Sequence, residues 1–507
     1  MATAPIVQNP DQPTPNVAYV LPEVQAKAPQ WQIIRDCIAG QDAIKAATTT
    51  YLPMPNADDQ SEQNRARYVS YLERAVFYGV TGRTHKGLVS LAFAEEPTVE
   101  LAPQLQGLLT NVDGAGISLE QQARATLGEV AATGRCGLLV DYPPVVTPVS
   151  KAQLATFGLQ PTIRSYQPQD IINWRVAFIG GLRVLTLVVL QEAVAVPTDP
   201  FISQIVKQWR VLRLVPNEAG VFRYVVTVYQ MPTNASQMGY TAITALEQYE
   251  PLDFQGRPWS FIPFQALGAE NNEITIDPAP LLDLANINIA HYRNSADYEE
   301  SVFMCGQSTP TLTGMTKDWW ENVLNKTVRL GSRSAVALPV GAALQLIQAA
   351  PNGLVREAMQ DKERQMVALG ARLIQTNTVQ RTATEAKIES ASELSVLSTC
   401  ANNVAAGYTK ALQWAGMFAG TKQESTFTMH PNADLDSLSI EERAQLMAEL
   451  QDGGISWTEY REHLHASGVA TQDDAKAKAE IAADKPKPPV APPVPPQVTD
   501  SIIGKVK

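Results

Sequence analysis

The chain has little of what metal sites, redox sites and nucleic-acid-wrapping surfaces are built from. Its 507 residues contain four cysteines, Cys37, Cys136, Cys305 and Cys400, each standing alone. With no CxxC pair, neither a zinc ribbon nor a redox dithiol is indicated, and so few cysteines in so long a chain exclude a disulfide framework. Reduced, partly buried thiols in a protein that folds in a cytoplasm are expected. Histidine is scarce at five residues. His463 and His465 stand two apart, a spacing that turns them to different sides of a helix, whereas zinc-binding helices use i and i+4. His85, His291 and His430 are scattered, with no serine or cysteine neighbour that suggests an activated nucleophile. Positive charge is also short: 40 Lys and Arg face 51 Asp and Glu, a net charge of −11. Wrapping nucleic acid needs clustered cations that displace counterions, so that class is disfavoured; DNA sliding past an acidic wall is not. The most apolar run, residues 182–190, is far shorter than the roughly 20 residues that span a bilayer. The opening MATAPIVQNPDQPTPNVAYVLP has no basic start followed by an apolar core, so no signal peptide is expected. These absences together imply a soluble, unexported protein without membrane contact.

Catalytic signatures are missing too. GVTGRTHKG at 79–87 lacks the GxxxxGK[ST] spacing of a phosphate loop and follows no apolar strand; it reads as a loop between helices. NVDGAGIS at 111–118 lacks the repeated acidic ligands of a calcium loop and reads as a turn leading into a helix cap. No GxSxG elbow and no two-metal carboxylate cluster is visible. The expectation is no enzymatic activity, no cofactor and no metal.

What is present is an ordinary globular composition, 45% hydrophobic and 18% charged, over a length that accommodates two to four domains. Six prolines within residues 1–30 predict an extended arm. Residues 31–150 read as helical, with Tyr68, Tyr71, Leu72, Ala75 and Val76 at helical spacing over 64–77, and Ser118 with Gln121 forming a capping box. CGLLVDYPP then predicts a short strand. LRVLTLVVL, QIVKQWRVLRLV and VFRYVVTVY are rich in β-branched and aromatic residues and predict strands of a hairpin or meander, with PNEAG as one turn. From residue 280, Leu281, Leu284, Ile287, His291, Asn294, Tyr298 and Val302 recur every three or four positions. The polar middle of that stripe implies a polar helix partner or a wet interface. Residues 303–350 read as a small irregular subdomain. Val355, Met359, Lys362, Met366, Leu369 and Leu373 predict a second helix, with Glu357, Asp361 and Arg364 on its solvated side. Thr382 with Glu385 caps a third helix whose heptad runs Leu394, Leu397, Ala401, Val404, Tyr408, Ala411, Ala415 and Phe418. If continuous over 384–419 it would be about 54 Å long. Its alanine seam suits an axial strut or an oligomer seam, a core helix within one subunit being the other reading. Two capped helices, Ser439 with Glu442 and Ser456 with Glu459, precede a polyproline tail. The fold class is α+β, mainly helical.

Several blocks resemble portal proteins of tailed bacteriophages: YLPMP (51–55), RTHKGLVSLAF (83–93), NVDGAGISL (111–119), GRCGLLVDYP (134–143), INWR (172–175), PLLDLANINIAHYRNSADYE (280–299), RTATEAKIESASELSVLS (381–398) and DGGISWTEYREHL (452–464). They occur in the family's order over about residues 31–480, and HYRNSADYE followed by RTATE is the most specific pair. The resemblance implies a portal fold assembled as a ring, usually of about twelve subunits. Residues 1–30 would be an arm, 31–275 the wing, 276–302 the first stem helix, 303–351 the clip, and 352–375 the second stem helix. Residues 376–383 would be the tunnel loop, 384–420 a channel-to-crown helix, 421–482 the crown, and 483–507 a proline-rich tail. Implied tunnel-loop residues facing DNA are Thr376, Asn377, Thr378, Gln380 and Arg381, a nearly uncharged set in which only Arg381 offers a charge-assisted phosphate contact. Implied clip residues are Lys317, Trp319, Trp320, Arg329 and Arg333. Implied partners are double-stranded DNA, read without sequence preference, the large terminase, major capsid and scaffold proteins, and head–tail adaptor or neck proteins. The implied place is the portal vertex of the virion, reached through host cytoplasm during assembly. A head–tail adaptor without motor docking and an oligomeric cytosolic enzyme are the alternatives.

Overall fold

The computed structural model describes residues 16–142, 160–218, 220–231, 243–306, 309–328, 336–347, 353–373, 395–421, 423–430, 440–466 and 478. Helix and sheet are both extensive, so the fold is α+β. The chain divides into a large unit ending at Pro431 and a second unit from Asn432 onward.

Helix α1 (Pro22–Ala39) starts where an extended arm was expected to continue to residue 30. Pro22 sits in the first turn, where its fixed φ suits a helix and its missing N–H would have had no partner. Pro29 lies inside the helix, and burial of Val24, Trp31, Ile34 and Cys37 outweighs the one hydrogen bond it removes. Helices α2 (Gln41–Ala46) and α3 (Glu62–Arg74) follow, the latter capped by Ser61. Helix α4 (Val80–Ala92) contains GVTGRTHKG from its second residue, where a loop was expected. The reason is packing: a Cβ at Gly82 would stand 2.9 Å from the Ile38 carbonyl oxygen, so glycine lets α4 lie directly on α1. Beyond strand β1 (Thr98–Glu100), helix α5 (Leu119–Thr133) opens on the expected capping box. The Ser118 hydroxyl accepts from the Gln121 backbone N–H at 3.1 Å, and the Gln121 side-chain oxygen Oε1 accepts from the Ser118 N–H at 3.2 Å.

Strand β2 (Arg135–Asp141) is followed by β3 (Thr162–Tyr166), and then by β4 (Ile171–Ile179), β5 (Leu182–Pro197), β6 (Ser203–Pro216), β7 (Phe222–Gln230) and β8 (Thr244–Tyr249). These last five form an antiparallel meander in chain order, and β9 (Phe264–Gly268) returns to make a three-stranded sheet in the order β3-β2-β9. A buried cluster holds the sheets together: Arg210 bonds Glu192 at 2.9 Å, and the Tyr166 hydroxyl donates to the same carboxylate at 2.6 Å. Segment 16–21 covers one face of the meander, with Val17 packed among Ile172, Trp209 and Val211.

Helix α6 (Leu282–Gly306), strands β10 (Thr309–Thr313) and β11 (Ala343–Ile347), and helix α7 (Gly353–Arg372) come next, then α8 (Val396–Ala419) and β12 (Thr426–Thr428), which pairs with β1. The second unit contributes α9 (Ile440–Gln451) and α10 (Trp457–Ala466). Ser456 and Glu459 cap α10 reciprocally as expected, whereas Ser439 lies outside the described residues.

Helix α8 departs from expectation twice. Ser395 is extended, with φ −60° and ψ 153°, and its hydroxyl accepts from the Ser398 N–H, so α8 begins at Val396 and spans about 36 Å rather than 54 Å. Residues 384–394 lie outside the described residues. The alanine seam is also not left free for a neighbour. Leu397, Ala401, Val404, Tyr408, Ala411, Ala415 and Phe418 are all buried in the chain's own core, against α5, β2 and β9. The Tyr408 hydroxyl donates to Gln122 at 3.1 Å and lies 2.9 Å from the Thr126 hydroxyl. Near its end, Tyr142 stacks between Trp259 and Phe418 at centroid separations of 4.7 and 5.1 Å.

At Gly407 a Cβ would fall 2.1 Å from Leu267 Cδ2, so β9 meets bare backbone there. Gly407→Val is expected to lower the unfolding free energy by about 1–3 kcal/mol through overpacking, although valine is the better helix former. Chemical denaturation of variant and wild type measures the difference.

Candidate functional site: a helix pair carrying an exposed hairpin

Helix α6 changes character along its length. Leu281, Leu284, Ala285, Asn288, Ile289, His291, Tyr292, Ser295 and Ala296 are buried, while Val302, Phe303 and Met304 near its end are exposed. One end is set in the core and the other leaves it.

Most polar groups of the buried part have named partners; among the described residues, His291 Nδ1 and the Tyr292 hydroxyl are buried without one. The Asn288 carboxamide oxygen accepts from the Thr81 N–H at 3.1 Å and the Thr81 hydroxyl at 2.9 Å, and its NH2 donates to the Tyr78 carbonyl at 2.8 Å. The Ser295 hydroxyl accepts from the Val76 N–H at 3.0 Å. Arg293 donates to the Tyr51 carbonyl at 2.8 Å, the Tyr71 hydroxyl to Asp297 at 2.6 Å, and Arg74 to Glu300. The HYRNSADYE block therefore fastens α6 to α3 and to the α3–α4 connection. The polar partner expected for this stripe is that connection, together with α7 through Glu363, whose carboxylate lies 3.3 Å from His291 Nε2.

Helix α7 runs back along α6. Strand pairing from Thr309↔Ile347 to Thr313↔Ala343 brings the adjoining helix ends together, and the His291–Glu363 contact joins them again farther along. Met366 is buried, Val355, Met359, Lys362, Leu369 and Leu373 are half-buried, and Glu357, Asp361 and Arg364 face solvent, which is the predicted stripe.

Between the helices sits a small knob. Gly314, with φ +76°, lies where a Cβ would stand 2.8 Å from the Gly341 carbonyl oxygen, so the hairpin narrows on two glycines. Trp319 and Trp320 open a single wide helical turn, Trp319–Val323. The Trp319 indole N–H donates to the Ala337 carbonyl at 3.0 Å and ties the knob to itself. Trp320 is 37% exposed, Val340 fully so, and Lys317 faces solvent. Of the implied clip residues, then, Lys317 and Trp320 are presented outward and Trp319 is structural. Arg329 and Arg333 lie outside the described residues, as do Thr376, Asn377, Thr378, Gln380 and Arg381. Sequence reading missed that the Leu397 N–H donates to the Leu373 carbonyl at 3.3 Å, so the chain on either side of 374–394 meets at one point. No spacing rule signals such a closure.

Chemically reactive groups are not gathered here. Burial pushes the thiols of Cys37, Cys136 and Cys400 up to about 12, which leaves them protonated and inert at neutral pH. Among the described residues no group of three or more His, Cys, Asp or Glu side chains could hold a metal, and no helix is long and apolar enough to cross a membrane.

Residues 280–419, which run from α6 through α8, match the model of a family described as a domain of unknown function (DUF4055). No curated protein matches the sequence. Similar solved structures include two from gene transfer agent particles. One is the neck of an empty gene transfer agent particle computed with C6 symmetry, at 15% identity and TM-score 0.39, with 80% of this chain and 94% of that chain covered. The other is the virion of a native gene transfer agent particle, at 16% identity, with the same TM-score and coverage.

Burial lowers the His291 pKa against the opposing pull of Glu363. An unfolded histidine titrates near 6.5, so below that pH the unfolded chain takes up a proton that the folded chain resists, and stability falls as pH drops. Asp170, raised to about 6 by burial, acts in the opposite sense over a lower window. The melting temperature of His291→Gln is therefore expected to drop less than that of wild type between pH 7.5 and 5.5. Comparing the two proteins cancels Asp170, and parallel curves would remove His291 as the cause.

Proposed function

We propose that the chain is one subunit of a tailed-phage portal, a ring at one capsid vertex through which double-stranded DNA passes without being read. The observation that carries this reading is the unit formed by α6, the β10–β11 hairpin and α7, a helix pair anchored at one end in the body and carrying an exposed, tryptophan-bearing knob at the other. A stem with a docking clip needs this division of labour. The portal-like sequence blocks support it, and HYRNSADYE, one of the most specific pair, supplies Arg293, Ser295 and Asp297 to the anchoring of α6. The bond from the Leu397 N–H to the Leu373 carbonyl supports a channel loop: the described residues on either side of 374–394 meet, and Thr376, Asn377, Thr378, Gln380 and Arg381 fall between them in sequence. A net charge of −11 suits a conduit that must not grip its cargo.

In this reading the large terminase docks on the clip through Lys317 and Trp320 during packaging and supplies the ATP-driven force. Neck or head–tail adaptor proteins take its place afterwards, and capsid and scaffold proteins surround the ring. The subunit itself is no enzyme. It assembles in host cytoplasm and stays in the virion. The exposed knob equally suits a head–tail connector that never meets a motor, and binding to terminase separates the two.

Negative-stain images of the purified full-length protein are expected to show an annulus of about twelve subunits with a central hole; a lone globule or an assembly without a bore sinks the proposal. Lys317→Glu combined with Trp320→Ala is expected to weaken terminase binding about ten-fold or more while rings persist, as loss of an exposed aromatic anchor does. Arg381→Ala is expected to lower the yield or retention of packaged DNA with ring assembly intact. Mutant particles that hold full genomes would remove the loop from the mechanism.

A further inference from the structure

Strands β5 and β6 outrun their neighbours. Pairing with β4 ends at Leu190 and pairing with β7 at Gln208, yet β5 and β6 stay paired out to Pro197↔Ser203. The last part is a two-stranded ribbon standing clear of the sheet. Its turn is fixed: the Thr198 N–H and hydroxyl donate to the Ile202 carbonyl at 2.9 and 3.0 Å, and Asp199 Oδ1 accepts from the N–H groups of Phe201 at 2.7 Å and Ile202 at 2.9 Å. Phe201, Ile202 and Ile205 are thereby held out 97%, 61% and 74% exposed. Scattered apolar residues are normal on a surface, but three clustered on one rigid tip mark a contact site.

At the opposite end of β5 lies an open cavity of about 530 Å³, where Leu185, Phe261, Trp414 and Met417 stand beside the polar Gln265 and Asn272 and the Arg183–Glu273 ion pair. That volume falls in the range that accepts organic groups the size of a phenylalanine and an isoleucine side chain together. Lys410 stands at its mouth, 5.2 Å from the Trp414 ring, with no carboxylate in ion-pair reach among the described residues. Asp199 Oδ2 on the tip likewise has no partner among them. The tip is apolar with one acidic neighbour; the cavity offers an apolar wall around Trp414, and with Arg183 paired to Glu273 the charge it leaves over is that of Lys410.

One molecule cannot join these parts. Val184 and Pro197 lie on a single strand, thirteen steps and about 43 Å apart at 3.3 Å per residue. The contact, if made with another copy, joins two different surfaces, and a heterologous contact of that kind generates rings when its rotation closes. We propose that the β5–β6 tip of each copy seats in the cavity beneath Trp414 of the next copy, head to tail around the assembly, an inference that rests on the ring reading above.

Ile202→Cys and Met417→Cys place thiols on the two exposed partners, and wild type serves as the background. Under mild oxidation the double variant is expected to give a ladder of covalent oligomers on a denaturing gel, and a mixture of the two single variants is expected to give dimers only. A wild-type-like pattern in the double variant, or dimers from Ile202→Cys alone, overturns the contact. Phe201→Asp is expected to raise the concentration for half-assembly about ten-fold or more in sedimentation, and unchanged assembly overturns it as well. Annuli on grids without the ladder defeat this contact and leave the portal reading standing; wild-type protein with no annuli defeats the portal reading, and the contact falls with it.

Discussion

The anchoring of α6 by a buried amide is the interaction on which the rest depends. Asn288 is fully buried and sits between the Thr81 and Tyr78 backbones, with its oxygen accepting twice and its nitrogen donating once. Each such bond contributes only about 0.5–1.5 kcal/mol net, but an unsatisfied buried amide costs about 1–3 kcal/mol. The asymmetry fixes register. Slipping α6 by one residue would strand Asn288, Ser295 and His291 together in the core without partners. An apolar stripe of the same length would tolerate such a slip far better, because hydrophobic burial is not directional.

That fixed register transmits outward. Helix α6 is about 37 Å long, and only its first two-thirds is held by the body. The last turns therefore inherit their direction from the buried part, and α7 is aligned by the His291–Glu363 contact and the β10–β11 pairing. The Arg74 guanidinium, which bonds Glu300 and covers the Phe303 ring at 4.4 Å, is the last brace before the helix leaves the body. A knob carried on such a pair is positioned by core packing far from it, which suits a docking surface better than a loop would.

Much of this was legible in the sequence. The meander, the capping boxes at Ser118 and Ser456, and the half-buried stripe of α7 follow from periodicity and cap chemistry, both local properties. The misreadings share a different cause. Gly79, Gly82 and Gly87 weaken the helical signal of α4, and nothing local reveals that Gly82 is required by contact with Ile38. Pro22 and Pro29 argued for an extended arm, and the partners that make a helix favourable there are as distant as Thr133, whose carbonyl accepts from the Trp31 indole at 3.1 Å. The heptad of α8 was read as a contact seam with an axial strut, an oligomer seam and a core helix all left open, and burial against α5, β2 and β9 selects the core helix, since a periodic stripe states that a face is buried and not against what. Of the site, Lys317, Trp319 and Trp320 were named together, and nothing local separates the two exposed residues from Trp319, whose indole bonds the Ala337 carbonyl eighteen residues away.

The burial of α8 also redistributes where assembly can act. A seam of small residues is an effective contact for another subunit, but once Tyr408, Ala411 and Ala415 are spent on α5 and the three-stranded sheet, any association must use what remains outside. Among the described residues, what remains includes protrusions: Phe201 and Ile202 at the end of the β5–β6 ribbon, and Trp320 and Val340 on the knob. Protrusions differ from flat patches in what they demand. A flat patch is satisfied by any other flat patch and invites indiscriminate aggregation, whereas a narrow apolar tip gains little unless a concave surface closes round it. With a net charge of −11 keeping copies apart at long range, only well-fitted contacts recover enough apolar burial to hold them together. Such a surface is selective by shape, because an exposed tip gains apolar burial only where a concave surface fits it.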